Sequence, residues 1–205
     1  MHTDHVIGVI WMIRMVATAV LKGKYQGKFI IYCQNHVAEN LRTICQMMLA
    51  KKHFACIDRE IVFEIIEDGM KKDILGMDVE FLDIHSSKAA QFGCIFRLLN
   101  GQTIFFAGDE PLYDGHKERA IEADWLLHEA FCMDRDADIY KPYEKHHSTV
   151  ADAAKLATEL KIPHLVLWHT EDRNYDQRKA LYTAEARQYY DGDLYVPNDL
   201  ETIEL

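Results

Sequence analysis

Residues 103–109 read TIFFAGD. Four β-branched or aromatic residues lead through Ala107 and Gly108 to a carboxylate, Asp109. Such a run reads as a buried strand. A polar ligand-type residue directly after it is how a rigid sheet delivers a group to its rim. The ending recurs: FLDIH (81–85) stops on His85, WLLH (125–128) on His128 and HLVLWH (164–169) on His169. One such ending says little. Four of them, with HTDH (2–5) and EKHHST (144–149), form a constellation.

The flanking segments read as helices and further strands. Val6 to Leu21 is an almost continuous apolar run and predicts a largely buried helix. It carries Arg14 in its middle and is short for a membrane span. No Lys/Arg-rich segment precedes it, so it is a poor signal peptide and the cytoplasm is the expected location. FIIY (29–32) predicts a short buried strand. Asn35 is a candidate cap for the helix HVAENLRTICQMMLA (36–50). IVFEII (61–66), VEFLDI (79–84), CIFRLL (94–99) and TIFFA (103–107) give a strand-rich middle, with NGQ (100–102) as a hairpin turn. STVADAAKLATELK (148–161) is a helix capped by Ser148 or Thr149, with Pro163 beyond its end. Tyr175 to Tyr190 predicts a last long helix and DLYVP (193–197) a last strand. Strands in the middle with helices around them predict an α/β (α+β) protein whose sheets are covered by helices. The 205 residues suit a single domain, 1–205, and no boundary or repeat is visible.

The net charge of −10 repels phosphate backbones and disfavours stable nucleic-acid binding. The five cysteines are odd in number and form no CxxC pair, which reads as reduced thiols. Among the eleven histidines, His36, His53, His116 and His164 have no motif around them.

Histidine and carboxylate together are zinc ligands, three or four to an ion. Two ions about 3.5–4 Å apart share a bridging carboxylate and a hydroxide. His2, Asp4, His5, His85, Asp109 and His169 supply the residue types for such a pair, with His128, His146 and His147 as candidates to support those ligands. Asp4 can also cap the helix that follows it.

The ordered set HTDH, His85, GD (108–109), HEAF (128–131), KHHSTVADAA (145–154) and LWHTED (167–172) resembles the metallo-β-lactamase superfamily, and within it the ribonuclease Z-like branch. The resemblance implies a four-layer αββα sandwich with metals on one edge. HTDH matches the family's HxHxDH signature except for the first His, which would fall just before Met1. The chain is therefore expected to be truncated at its N-terminus relative to the family and to lack the first strands, Met1 being internal to a longer product or a misassigned start. Carried over, His2, His85 and Asp109 hold one ion, and Asp4, His5, Asp109 and His169 the other. Two divalent ions are implied, zinc first, with manganese or iron as substitutes. Asp4 is the expected proton acceptor. His147 is the expected donor to the leaving or equatorial oxygen, with Glu129 orienting it and His146 as its rival. His128 is expected to support the site without touching substrate.

The function implied is a metal-dependent hydrolase that activates water against a phosphodiester or ester bond of a small molecule. The alternative is an impaired family member that binds metal or serves as a partner subunit. Ribonuclease Z enzymes carry a transfer-RNA-gripping arm between the residues matching His85 and Asp109. Here those residues are close in sequence, which argues against transfer-RNA processing. SSKAAQFGC (86–94), with Lys88 and Gln91, is a candidate pocket mouth or a solvated loop. A homodimer is compatible with the sequence.

Overall fold

The structure is a computed structural model that describes residues 3–205. Two compact units make up the chain, 1–67 and 68–205. No shift in composition marks the junction at Glu67.

The first unit holds helices α1 (Thr3–Leu21), α2 (Asn35–Met48) and α3 (Lys51–Phe54), with strands β1 (Phe29–Cys33) and β2 (Ile61–Ile65). β1 and β2 pair in parallel, Phe29 opposite Ile61 and Cys33 opposite Ile65. The core of this unit gathers Ile13, Val16 and Ala17 from α1, Ala38, Leu41 and Cys45 from α2, and Ile61 and Phe63 from β2. These α2 positions recur at three and four residues, the period of one helix face.

Two expectations are corrected here. α1 is not largely buried: Ile7, Trp11, Met12 and Met15 are at least half exposed. An almost continuous apolar run carries little helical period, so the sequence does not reveal which stripe is covered. Asn35 is the first residue of α2, not its cap. Gln34 holds the cap position without a side-chain bond, and the Asn35 amide instead donates to Glu39 one turn on.

The second unit is built on a seven-stranded sheet in the order β3 (Lys71–Ile74), β4 (Met77–Asp83), β5 (Phe92–Arg97), β6 (Thr103–Phe106), β7 (Trp125–Glu129), β8 (His164–Trp168) and β9 (Asp193–Tyr195). β3 to β6 pair antiparallel, and β6 to β9 pair parallel. Two antiparallel steps restore direction, so β4, β6, β7, β8 and β9 all run the same way. Their C-terminal ends lie along one edge of the sheet. The turn between β5 and β6 is tight, with Leu98 N–H donating to the Gln102 carbonyl, as NGQ predicts.

Helices α4 (Lys117–Ala120), α5 (Ala137–Tyr140), α6 (Val150–Glu159) and α7 (Arg178–Ala186) complete this unit. α6 opens with a capping box in which the Thr149 hydroxyl accepts from Asp152 N–H and the Asp152 carboxylate accepts from Thr149 N–H. Its small face, Val150, Ala153, Ala154 and Ala157, is fully buried with Leu126, Leu165 and Tyr182. The last helix is shorter than the predicted Tyr175 to Tyr190. Residues 172–177 form turns instead, with Asn174 and Arg173 bonded to Glu171. Those polar bonds hold the segment in a loop against its helical period.

No described helix is long and apolar enough to cross a membrane.

Candidate metal centre

The common strand direction puts His85, Asp109, Glu129 and His169 at the same sheet edge, each at or just past a strand end. Two glycines make the approach possible. A side chain at Gly93 would place its Cβ 2.5 Å from the Phe106 carbonyl, so only glycine lets β5 pass the end of β6. Gly108 has φ +92°, a left-handed turn that ends the strand and starts Asp109 on its own path.

Three histidines adopt the same rare backbone region, His85 at φ 56°, His146 at φ 56° and His169 at φ 52°. A non-glycine residue held there costs about 1–3 kcal/mol, and such residues cluster at functional sites.

His169 Nε2 lies 2.8 Å from Asp109 Oδ1, and both side chains are mostly buried. The His169 ring sits 5.0 Å from that of His147 and 6.3 Å from that of Phe131. Glu129, His147 and His169 each offer a ligand-type atom within 4.8 Å of the others. Glu129 is completely buried. Its Oε1 accepts from Ser148 N–H at 2.5 Å and from Ser148 Oγ at 2.6 Å. Its Oε2 faces His147 Nδ1 at 3.5 Å, and neither of these atoms has a hydrogen bond. Phe131 stacks on the His147 ring at 4.9 Å and 18°. A carboxylate with one oxygen fixed and the other aimed at an imidazole can orient that ring.

His146 is separate from this group. Its Nε2 lies 3.2 Å from Ser87 Oγ in an exposed contact. His85 stands at the sheet edge with its ring 4.4 Å from Tyr113, and among the described residues it is outside the Glu129, His147 and His169 group. Asp4 and His5 lie on α1 in the first unit, His5 exposed. His2 lies outside the described residues. His128 is fully buried and hydrogen-bonded at both ring nitrogens, to the Glu129 carbonyl and Leu112 N–H.

Several supporting residues escape a reading of sequence alone. Ser148 feeds Glu129 while Thr149 does the capping. Glu110 is buried and accepts from Ser86 Oγ at 2.7 Å, with Lys88 Nζ at 3.6 Å. Ser86 Oγ also accepts from Gln91 Nε2 at 3.2 Å, so the 86–91 loop is tied to the residue after Asp109. Glu171 accepts from Tyr140 OH at 2.9 Å and fixes the turn behind His169. The clue to Ser148 and Glu171 was their place inside HHST and HTED; nothing local marks Ser86 or Tyr140.

The beta-lactamase superfamily domain matches residues 1–170 of the sequence. The chain belongs to the beta-lactamase superfamily. Its fold is the α/β metallo-beta-lactamase type. The metallo-beta-lactamase fold protein YhfI from Bacillus subtilis superposes with TM-score 0.72 at 17% identity, over 96% of this chain and 72% of that one. Human tRNase Z, short form, superposes with TM-score 0.70 at 18% identity, over 100% and 76%. Among sequences, ribonuclease Z of Haloferax volcanii is 30% identical over 105 residues, 51% of this chain and 32% of that protein. Ribonuclease Z of Pyrobaculum neutrophilum is 39% identical over 100 residues, 49% and 34%. The chain thus spans about a third of the length of these curated relatives. Members of this superfamily are typically metal-dependent hydrolases. The donor set at this superfamily member's sheet edge fits that chemistry: a carboxylate and an imidazole, Asp109 and His169, converge in a mostly buried position, and such N/O sets bind zinc and its divalent neighbours.

Proposed function

We propose that the protein is a metal-dependent hydrolase of a small phosphodiester, with a carboxylic ester as the competing substrate class. The observation that carries this reading is the meeting of Asp109 and His169 at 2.8 Å beside the Glu129–His147 pair. Asp109 and His169 would hold metal, with His2, Asp4, His5 and His85 as further ligands. Those assignments to HTDH and His85 rest on the superfamily's motif order.

The ions would supply an activated water and a positively charged site for the substrate oxygen. The chain's own residues do the rest. His147 donates a proton to the leaving oxygen, while Glu129 Oε2 faces its Nδ1 at 3.5 Å. The exposed bond of His146 to Ser87 supports His147 over His146 in this role. Asp4, next to His5 in HTDH, is the proton acceptor for the attacking water.

Phosphodiesters come first because of the relatives' name, ribonuclease Z. A large RNA is disfavoured by net charge −10. The segment between His85 and Asp109 adds to that, because it is filled by one loop and the β5–β6 hairpin, with no arm.

The test is metal content per chain beside hydrolysis of bis(p-nitrophenyl) phosphate and p-nitrophenyl acetate. Two ions with turnover of the phosphodiester support the reading. Metal without turnover of either compound moves the chain to the impaired, metal-binding alternative. No metal overturns both.

A further inference from the structure

His128 is the fourth residue of β7 and is 1% exposed. Its Nδ1 lies 2.6 Å from the carbonyl oxygen of Glu129, and its Nε2 lies 3.1 Å from the backbone nitrogen of Leu112. A carbonyl only accepts and a backbone N–H only donates. These two partners leave one arrangement: the ring donates at Nδ1 and accepts at Nε2. An imidazolium has no acceptor for Leu112. The other tautomer sets a lone pair against the carbonyl and an N–H against the Leu112 N–H.

Leu112 stands three residues after Asp109, at the end of Asp109-Glu110-Pro111-Leu112, and is itself buried. Pro111 has no N–H, so Leu112 offers the backbone donor that anchors the far end of this segment. Its near end is the left-handed turn at Gly108. Its middle is tied through Glu110 to Ser86. Asp109 therefore sits on a short span whose exit is pinned by a side chain from the neighbouring strand. On the opposite side, the same ring holds the backbone carbonyl of Glu129, the residue facing His147.

We propose that His128, locked as its neutral Nδ1–H tautomer, is a positioning residue that fixes the 109–112 segment and so aims Asp109 for metal binding. The proposal rests on the hydrolase reading above. Asparagine and glutamine separate the two bonds. Asparagine reaches the Nδ1 place and can donate to Glu129. Glutamine reaches the Nε2 place, where its carbonyl can accept from Leu112.

The experiment has two arms on the full chain. Nitrogen-15 NMR of the metal-free protein reads the tautomer; protonation at Nδ1 alone is expected, and protonation at Nε2 overturns the proposal. Zinc titration against a competing chelator then compares wild type, His128→Asn and His128→Gln, with the thermal midpoint of each metal-free form recorded. His128→Asn is expected to lose about tenfold or more in zinc affinity, and His128→Gln to keep most of it. Wild-type affinity in both variants overturns the positioning role alone, even where both have lost thermal stability. Absence of zinc from the wild type overturns the hydrolase reading together with the positioning role.

Discussion

His169 Nε2 and Asp109 Oδ1 meet at 2.8 Å although their strands, β8 and β6, are separated in the sheet by β7. The two side chains reach across the end of the intervening strand to the same point. Asp109→Ala removes the carboxylate from that point. The expected result is a loss of zinc affinity and of turnover by about 100-fold or more, since removing a mere supporting partner already costs 10–100-fold. Elemental analysis and bis(p-nitrophenyl) phosphate hydrolysis check it. Dialysis against a chelator should abolish wild-type turnover and added zinc should restore it; full activity after chelation would contradict a metal role.

Glu129→Gln keeps an acceptor for Ser148 N–H and Oγ but removes the charge facing His147. Zinc content should stay at the wild-type value. Turnover should fall by roughly 10²–10⁴, the usual worth of a positioned acid–base group. Unchanged turnover would remove the Glu129–His147 pair from the reaction.

Thr149→Ala breaks the capping box of α6. The Asp152 N–H loses its acceptor and the Thr149 N–H bond to Asp152 loses its reciprocal partner. A loss of about 1 kcal/mol in urea unfolding is expected. Metal content should be untouched, provided Ser148 still feeds Glu129.

Glu80 lies buried on β4 and receives Arg119, Arg97 and Lys71. Burial by itself pushes its carboxyl upward, but the hydrogen bond and charge of Arg119, with Lys71 and Arg97, hold it below its ordinary value of 4.5. Ionised Glu80 therefore stabilises the native state above that value, and the contribution is lost as pH falls through the depressed native one. Glu80→Gln should be less stable than wild type by about 1–2 kcal/mol at neutral pH, the cations being part-exposed. The gap should close in acid. Unfolding at pH 7 and at pH 3 compares the two; a constant gap would contradict the sign.

The strand endings were readable because each marks a change of residue type that physics enforces. Ile, Phe, Leu and Val fill a buried ladder, and a lone His or Asp ends it. The capping box was readable because its partners are three residues apart. What escaped lies in contacts between distant residues. Nothing around Ser86 announces a bond to Glu110, and nothing around Tyr140 announces Glu171. The almost continuous apolar run of α1 conceals which face is covered. The last helix was overdrawn because Glu171 draws the polar side chain and backbone of 173 and 174 into a turn, which helical spacing does not register. The order of the motifs was legible in the sequence; that Asp109 meets His169, and Glu129 faces His147, was not.

The parallel run from β6 to β9 joins strands that are distant in the chain, each crossover enclosing a helix or long loop. Non-local pairings of this kind form late, after the entropy of closing each loop has been met. Asp109, Glu129 and His169 stand at the ends of three of these strands and share no local contact that could assemble them sooner. Zinc capture should therefore follow sheet closure during refolding, so that a chelating dye competing for the ion would time the final step of folding rather than its beginning.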